Sequence, residues 1–338
     1  MTSIDLPAQP TRVRASVATV GQLQRKFPFV QLVALVAVYI FGALTLDGLA
    51  TWESTRILLL LAALAGLAGL GQTFLILMGG FDLSVAGFIF ASGLIVTDVR
   101  SEWGVSFLVA FLVALAGAAI LGAITGQICH RLAVNPLIVT LATGTIAFGL
   151  AQSQTAQGLA FGAGAPSWLI RLCSPLAHTF GLPIAPLVSI WIVLTIVMTV
   201  FLHRTVAGRR LLATGANSRA ADLSLVRTTR VWTLTFMGSA IASVLLGLAV
   251  TGFGGSITTT SGNPYMFQSV VVVILGGTVF GGPGDYLRTG VGALFVTILS
   301  AVLVGHGATS GDQQMIYAAS IIAVLSFYGR QNRVRDRV

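Results

Sequence analysis

The sequence predicts an all-α polytopic membrane protein of about ten transmembrane helices, with N- and C-termini cytoplasmic and some spans short and interrupted by glycine. Three observations predict it. Only 9% of the 338 residues are charged and 55% are hydrophobic, whereas about a quarter of a soluble globular chain is charged. The apolar residues fall in long continuous runs rather than the short alternating segments of a β-barrel. The basic residues alternate in density from one inter-run segment to the next, as the positive-inside rule requires.

Charges bracket the runs, so the spans are read between them, each needing about 20 residues to cross ~30 Å of hydrocarbon. Phe27–Leu46 is the first and Ile57–Met78 the second. A short third, Leu83–Thr97, follows Gly79-Gly80-Phe81-Asp82. Val105–Cys129 and a short Pro136–Gln152 come next, then a Gly-, Gln-, Ser- and Ala-containing stretch at 153–167 that reads as an ordered loop with Trp168 at the interface. Ile184–Leu202 is the sixth, and Val231–Thr251, a short Phe267–Phe280, Leu287–Gly305 and Gln313–Tyr328 complete the ten. Residues 1–26 are polar and basic without an apolar core, and read as a cytoplasmic tail rather than a cleaved leader. Residues 27–329 form the transmembrane domain and 330–338 a second cytoplasmic tail.

Between the sixth and seventh spans lies loop 203–230, which carries Arg204, Arg209, Arg210, Arg219, Arg227 and Arg230 against the single acid Asp222. An arginine at the centre of a bilayer costs roughly 2.5–3.5 kcal/mol on the lenient insertion scale, so this loop belongs in water on the cytoplasmic side. With both termini inside, sixteen basic residues fall on the inner side and three, Arg56, Arg100 and Arg171, on the outer. The net charge of +9 is therefore accounted for by the inner face, and nucleic acid is not implied.

Small residues recur every four positions at Ala114, Ala118, Gly122 and Gly126, and again at Ala62/Gly66 and Ala65/Gly69. They predict close helix packing and do not select a function. The glycine clusters at 79–80, 276–277 and 281–284 beside short spans point either to a pathway near the midplane or to tight turns between helices.

Asp82 is the acid lodged within an apolar stretch. Its place directly before the third span favours capping of free N–H groups over lining a pathway or binding an ion. The neutral residues Gln72, Thr140 and Thr143 suit either a pathway for an uncharged polar solute or interhelical hydrogen bonds worth about 0.6 kcal/mol each. His130, His178, His203 and His306 show no metal-ligand spacing, and the sole lysine, Lys26, is not in a phosphate-binding loop. Cys129 and Cys173 fall at opposite membrane faces and read as structural. No catalytic constellation is present, so the chain is read as a non-enzyme without a cofactor of its own.

Four motifs carry a resemblance. Gly79-Gly80-Phe81-Asp82-Leu83-Ser84-Val85 resembles the Gly-Gly-x-Asp-Leu-Ser-Val element of permease subunits of monosaccharide (ribose-type) ABC importers, in the branched-chain amino acid/monosaccharide permease superfamily. Asn135-Pro136-Leu137-Ile138-Val139-Thr140-Leu141-Ala142-Thr143 is similar to that family's Pro-x-Ile-Val-Thr-Leu-x-Thr segment. Gly208-Arg209-Arg210 with Ala213, Gly215, Asn217, Ala220, Ala221 and Ser224 resembles its cytoplasmic loop, and Gly276-Gly277-Thr278 with Gly281-Gly282-x-Gly284 completes the series. Departures are Leu225 where the family has Gly, Asp312-Gln313 where it has Trp-Gln, and Phe81 and Ala86 for the commoner Ile and Gly.

The resemblance implies a passive pore-forming subunit in a bacterial inner membrane, paired with a second copy or a paralogue. ATP and Mg would sit on a separate cytoplasmic ATP-binding subunit, and a periplasmic sugar-binding protein would deliver the solute. It implies that the loop from Gly208 to Arg230 docks on the ATPase through Gly208, Arg209, Arg210, Gly215, Asn217, Arg219, Ala220 and Asp222. Asn217 or Ser218 can N-cap a short helix, Ser218–Leu225. Gln72, Asp82, Ser84, Asn135, Thr140 and Thr143 are the pathway-lining candidates. A secondary transporter or channel working alone is the competing reading.

Overall fold

The computed structural model describes residues 28–156 and 163–335. Apart from an isolated β-bridge between Thr179 and Leu182, the regular structure of these residues is helical. The helices are α1 (Phe29–Thr45), α2 (Trp52–Leu77), α3 (Val85–Leu94), α4 (Phe107–Arg131), α5 (Pro136–Ala156), α6 (Ser167–Leu172), α7 (Pro186–Arg204), α8 (Val206–Ala216), α9 (Ser218–Leu223), α10 (Thr228–Gly254), α11 (Asn263–Leu275), α12 (Tyr286–Gly305) and α13 (Ser310–Arg335). Each of the ten apolar segments coincides with one of these helices. Six of them, α2, α4, α5, α7, α10 and α12, are long and apolar enough to cross a membrane. The apolar helices α1 and α11 are shorter.

α2 is the centre of the bundle. It packs on α10, α11 and α12, while α10 also lies along α4 and α3, and α3 along α5. The predicted small-residue stripes make these contacts. A Cβ on Gly122 would stand 2.7 Å from the carbonyl oxygen of Phe236, and one on Gly126 2.7 Å from the Cα of Thr233, so α4 lies backbone to backbone on α10. Gly69 of α2 receives the methyls of Thr289 and Val272. Polar links add register: Tyr286 donates to the carbonyl of Gly66 (2.8 Å), and the hydroxyls of Thr73 and Thr289 pair at 2.7 Å. The outward residues Leu112 and Ile120 of α4 and Val193 and Ile196 of α7 are apolar and exposed, a surface suited to hydrocarbon. Both cysteines are free and buried, and burial pushes the Cys173 thiol up to about 12.

Several boundaries differ from the sequence expectation. α2 begins at Trp52 rather than Ile57, and α5 runs past Gln152 to Ala156, into the predicted 153–167 loop. The third span does not stop at Thr97: a π-helical turn (Ile95–Val99) carries it into a last α-turn, Arg100–Trp103. Asp98 does not end it because its carboxylate is buried and accepts from Thr97 Oγ1 (2.6 Å) and Ala163 N (3.0 Å). The predicted 267–280 helix begins earlier, at Asn263, where Pro264 fits the first turn, and ends at Leu275 in the Gly276-Gly277 turn. The predicted 218–225 helix ends at Leu223. The predicted C-terminal tail is helical from 330 to 335. The tail 1–26, residues 157–162 of the predicted 153–167 loop, and residues 336–338 lie outside the described residues.

Candidate functional site

Loop 203–230 is two helices set on the end of the bundle. α7 ends at Arg204, and Thr205 N-caps α8 by accepting from Gly208 N (3.0 Å). Gly208 must lack a side chain because a Cβ there would stand 2.5 Å from the Phe201 carbonyl oxygen. Asn217 then N-caps α9, accepting from Ala220 N at 3.0 Å. Of the two caps the sequence offered, Asn217 is the one used; Ser218 is the first helical residue. Arg209, Arg210, Arg219, Ala220 and Asp222 are exposed, as are Leu223 and Leu225. Two nearly fully exposed leucines thus lie in a field of arginines.

The end of α9 is strained. Leu225 sits at φ +62°, in the left-handed region. Its N–H donates to Asp222 O (2.9 Å) and that of Val226 to Ala221 O (3.0 Å), the bond pair that normally closes a helix on glycine. The same pair closes α2 at Gly79 (φ +83°), with Gly79 N to Ile76 O and Gly80 N to Leu75 O. It closes α11 at Gly277 (φ +92°) as well. The glycine clusters at 79–80 and 276–277 are therefore equivalent helix stops in the two halves of the chain.

The first of these stops, and the Gly281 turn beyond the second, meet the basic segment. Gly281 N donates to Ile76 O at 3.0 Å, and the rings of Phe81 and Phe280 lie 4.6 Å apart. Gly215 of α8 fits between them: a Cβ on it would collide with the Leu77 carbonyl, and a Cβ on Gly281 would stand 3.0 Å from the Gly215 oxygen. A second connection starts at Asp222. Thr228 Oγ1 donates to its carboxylate (2.6 Å), which leaves that oxygen to accept from His130 Nε2 at 2.8 Å. The His130 ring packs against Trp232. One hydrogen-bonded chain thus ties α9 to α10 and to the end of α4. A third contact sets His203 Nε2, near the end of α7, 3.7 Å from Asp285, which N-caps α12.

Behind the Gly79-Gly80 stop, Asp82 is buried and central. One carboxylate oxygen accepts from Ser84 N (2.8 Å) and the Ser84 hydroxyl; the other accepts from Ser239 of α10 at 2.6 Å. Gln72 of α2 brackets its backbone, accepting from Asp82 N (3.1 Å) and donating to Asp82 O, and also reaches Ser269 of α11. Leu83 N donates to Thr140 of α5. Asp82 thus takes an N–H at the entry to α3, and it also joins α3 to α10. Ser84, not Asp82, occupies the N-cap position.

The pathway candidates divide by environment. Gln72, Asp82, Ser84, Thr140 and Thr143 are buried, and Thr143 pairs with Thr125 at 2.7 Å. Asn135 is exposed and holds Leu137 N at the start of α5. Among the described residues no group of three or more His, Cys, Asp or Glu side chains is placed to hold a metal.

Residues 54–325 match the family described as branched-chain amino acid transport system / permease component. The ribose import permease protein RbsC of Bacillus subtilis is 31% identical over 309 residues, covering 90% of this chain and 93% of the relative. RbsC of Haemophilus influenzae is 33% identical over 259 residues (75% and 78%). The autoinducer 2 import system permease protein LsrD of Yersinia enterocolitica is 30% identical over 269 residues (77% and 78%). No solved structure matches the chain. The chain belongs to the branched-chain amino acid transport system permease component family, as a multi-pass membrane permease.

Proposed function

We propose that this chain is the pathway-forming permease subunit of an ATP-driven importer for a sugar or sugar-like solute in a bacterial inner membrane. The observation that carries the reading is the seating of Gly215. It sets α8, from which α9 continues, on the end of α2 and against the Gly281 turn that follows α11. A cytoplasmic ATPase gripping α9 through Arg219, Asp222 and the two leucines pushes on α2 and on the Gly281 loop, and the bundle swings between outward- and inward-facing states. Arg209 and Arg210 supply charge to the same docking face. ATP and Mg are held by the ATPase. A periplasmic binding protein delivers solute to the opposite side, and a second copy or a paralogue completes the pore.

In this reading all ten apolar segments cross the bilayer, the short ones together with the chain that flanks them, and both termini are cytoplasmic. The relatives named for ribose, fructose and autoinducer 2 import favour a small neutral polyhydroxylated solute.

The test is reconstitution of the chain with its ATPase and binding protein in liposomes. ATP-dependent accumulation of D-ribose or D-fructose is expected, and a variant with Arg209, Arg210 and Arg219 changed to Glu should lose the ATPase on purification. Solute uptake that continues without the ATPase would show a stand-alone transporter instead.

A further inference from the structure

α11 has 13 residues, about 20 Å at 1.5 Å per residue, and cannot cross ~30 Å of hydrocarbon alone. The chain makes up the difference with residues 255–262, which are not helical. Two close approaches to α3 fix their depth. A Cβ on Gly93 would stand 2.6 Å from Ile257 Cγ1, and a Cβ on Gly262 would stand 2.5 Å from the Ala86 carbonyl oxygen. Gly93 and Ala86 are two helical turns apart, so the segment descends roughly 10 Å alongside a membrane helix.

This buried-depth segment is polar. Ile257 packs inward, whereas Ser256, Thr258, Thr260 and Asn263 are exposed. Thr258 Oγ1 pairs with the hydroxyls of Ser261 (2.8 Å) and Thr260 (3.3 Å). Irregular backbone at membrane depth is tolerated where it is buried in protein or lines water, and not against lipid. Phe267, one turn along α11 from Asn263, is also exposed. The sequence holds no charged side chain between Arg230 and Asp285.

We infer that Thr258, Thr260, Asn263 and Phe267 form a solute-contacting subsite on the translocation pathway, selective for a neutral polyhydroxylated molecule. The hydroxyls and the amide can each donate and accept, matching sugar hydroxyls, and the phenyl ring takes the apolar C–H face. The absence of charge removes any preference for an ionic solute. The inference rests on the importer reading above.

The experiment uses the complete reconstituted complex carrying Thr258→Cys, Thr260→Cys or Asn263→Cys, treated with a charged, membrane-impermeant methanethiosulfonate. Wild type serves as the background, since Cys129 and Cys173 are buried. Ile120→Cys, on the outward apolar face of α4, is the lipid-facing control. We expect Thr260→Cys and Asn263→Cys to react about tenfold or more faster than the control, as water-lined positions must, and modification to stop D-ribose uptake. Reaction no faster than the control would show the segment sealed against protein, and rapid reaction with undiminished uptake would put it off the pathway; either overturns the inference. A wild type that takes up neither D-ribose nor D-fructose removes the sugar assignment. Uptake independent of the ATPase would sink the importer reading alone, leaving the labelling rates to decide the subsite.

Discussion

Gly215 rests on the carbonyl of Leu77, and a Cβ at Gly215 would also stand only 3.0 Å from the Cα of Met78. Every neighbour in that contact is backbone, so nothing there yields by a rotamer change. Gly215→Ala must therefore lift α8 off the end of α2, at the ~1–3 kcal/mol that overpacking costs. The bundle and the exposed face of α9 stay as they are. The variant should bind the ATPase at near wild-type level, hydrolyse ATP, and import little solute. Uptake above half of wild type would mean that this joint does not transmit movement.

Leu225 concentrates two roles in one residue. Its left-handed backbone costs a non-glycine residue roughly 1–2 kcal/mol, and its side chain is almost wholly exposed. Leu225→Gly should relieve about 1 kcal/mol of that strain, partly offset by the entropy of an added glycine. Slower local hydrogen exchange across residues 218–226 is the measurement. If the exposed leucine is a docking contact, the same substitution weakens ATPase co-purification. A variant that is stiffer and binds normally would confine Leu225 to a structural accident of sequence.

Most of the bundle was legible because burial in lipid forces local order. Charge-free runs, caps and small-residue stripes each act within a few residues, so spacing alone marks Gly122, Gly126 and Gly69 as close-packing faces, though not the helices they meet. The features that are not legible share a cause: they depend on contacts distant in sequence. Asp98 looks like a terminator until Ala163, distant in sequence, is seen donating to it. Nothing local marks the depth of the non-helical segment 255–262, which contacts with Gly93 and Ala86 set beside α3. Charge marks the basic segment in the sequence, but nothing marks α8, since its apolar residues only make sense against the end of the bundle. Pairings across more than 100 residues, such as Asp82 with Ser239, leave no local signature.

The Asp222–Thr228–His130 chain ties α9 to two helices at once, with Thr228 buried in the middle. Thr228→Val keeps the shape and deletes both hydrogen bonds, leaving His130 and Asp222 unlinked at a cost of about 1–3 kcal/mol. The expected result is normal assembly with fewer solute molecules moved per ATP. Thr228→Ser should restore the wild-type ratio. A uniform loss of both hydrolysis and uptake, not rescued by serine, would count against transmission through this chain.

Asp82 decides between a structural and an ion-coupling role. Its two oxygens are taken up by Ser84 and Ser239, among neighbours that are hydroxyls and amides. Asparagine reproduces this arrangement: its carbonyl oxygen accepts from Ser84, and its NH2 donates to a Ser239 hydroxyl turned to accept. Asp82→Asn should therefore fold and import at close to the wild-type rate, with no dependence on a proton gradient. Ser239→Ala strips one carboxylate oxygen of its donor and should cost about 1–3 kcal/mol in thermal stability. Asp82→Ala, which unties α3 from α10, should be the least stable of the three. An Asp82→Asn variant that folds normally yet imports nothing would show that the carboxyl group itself takes part in transport.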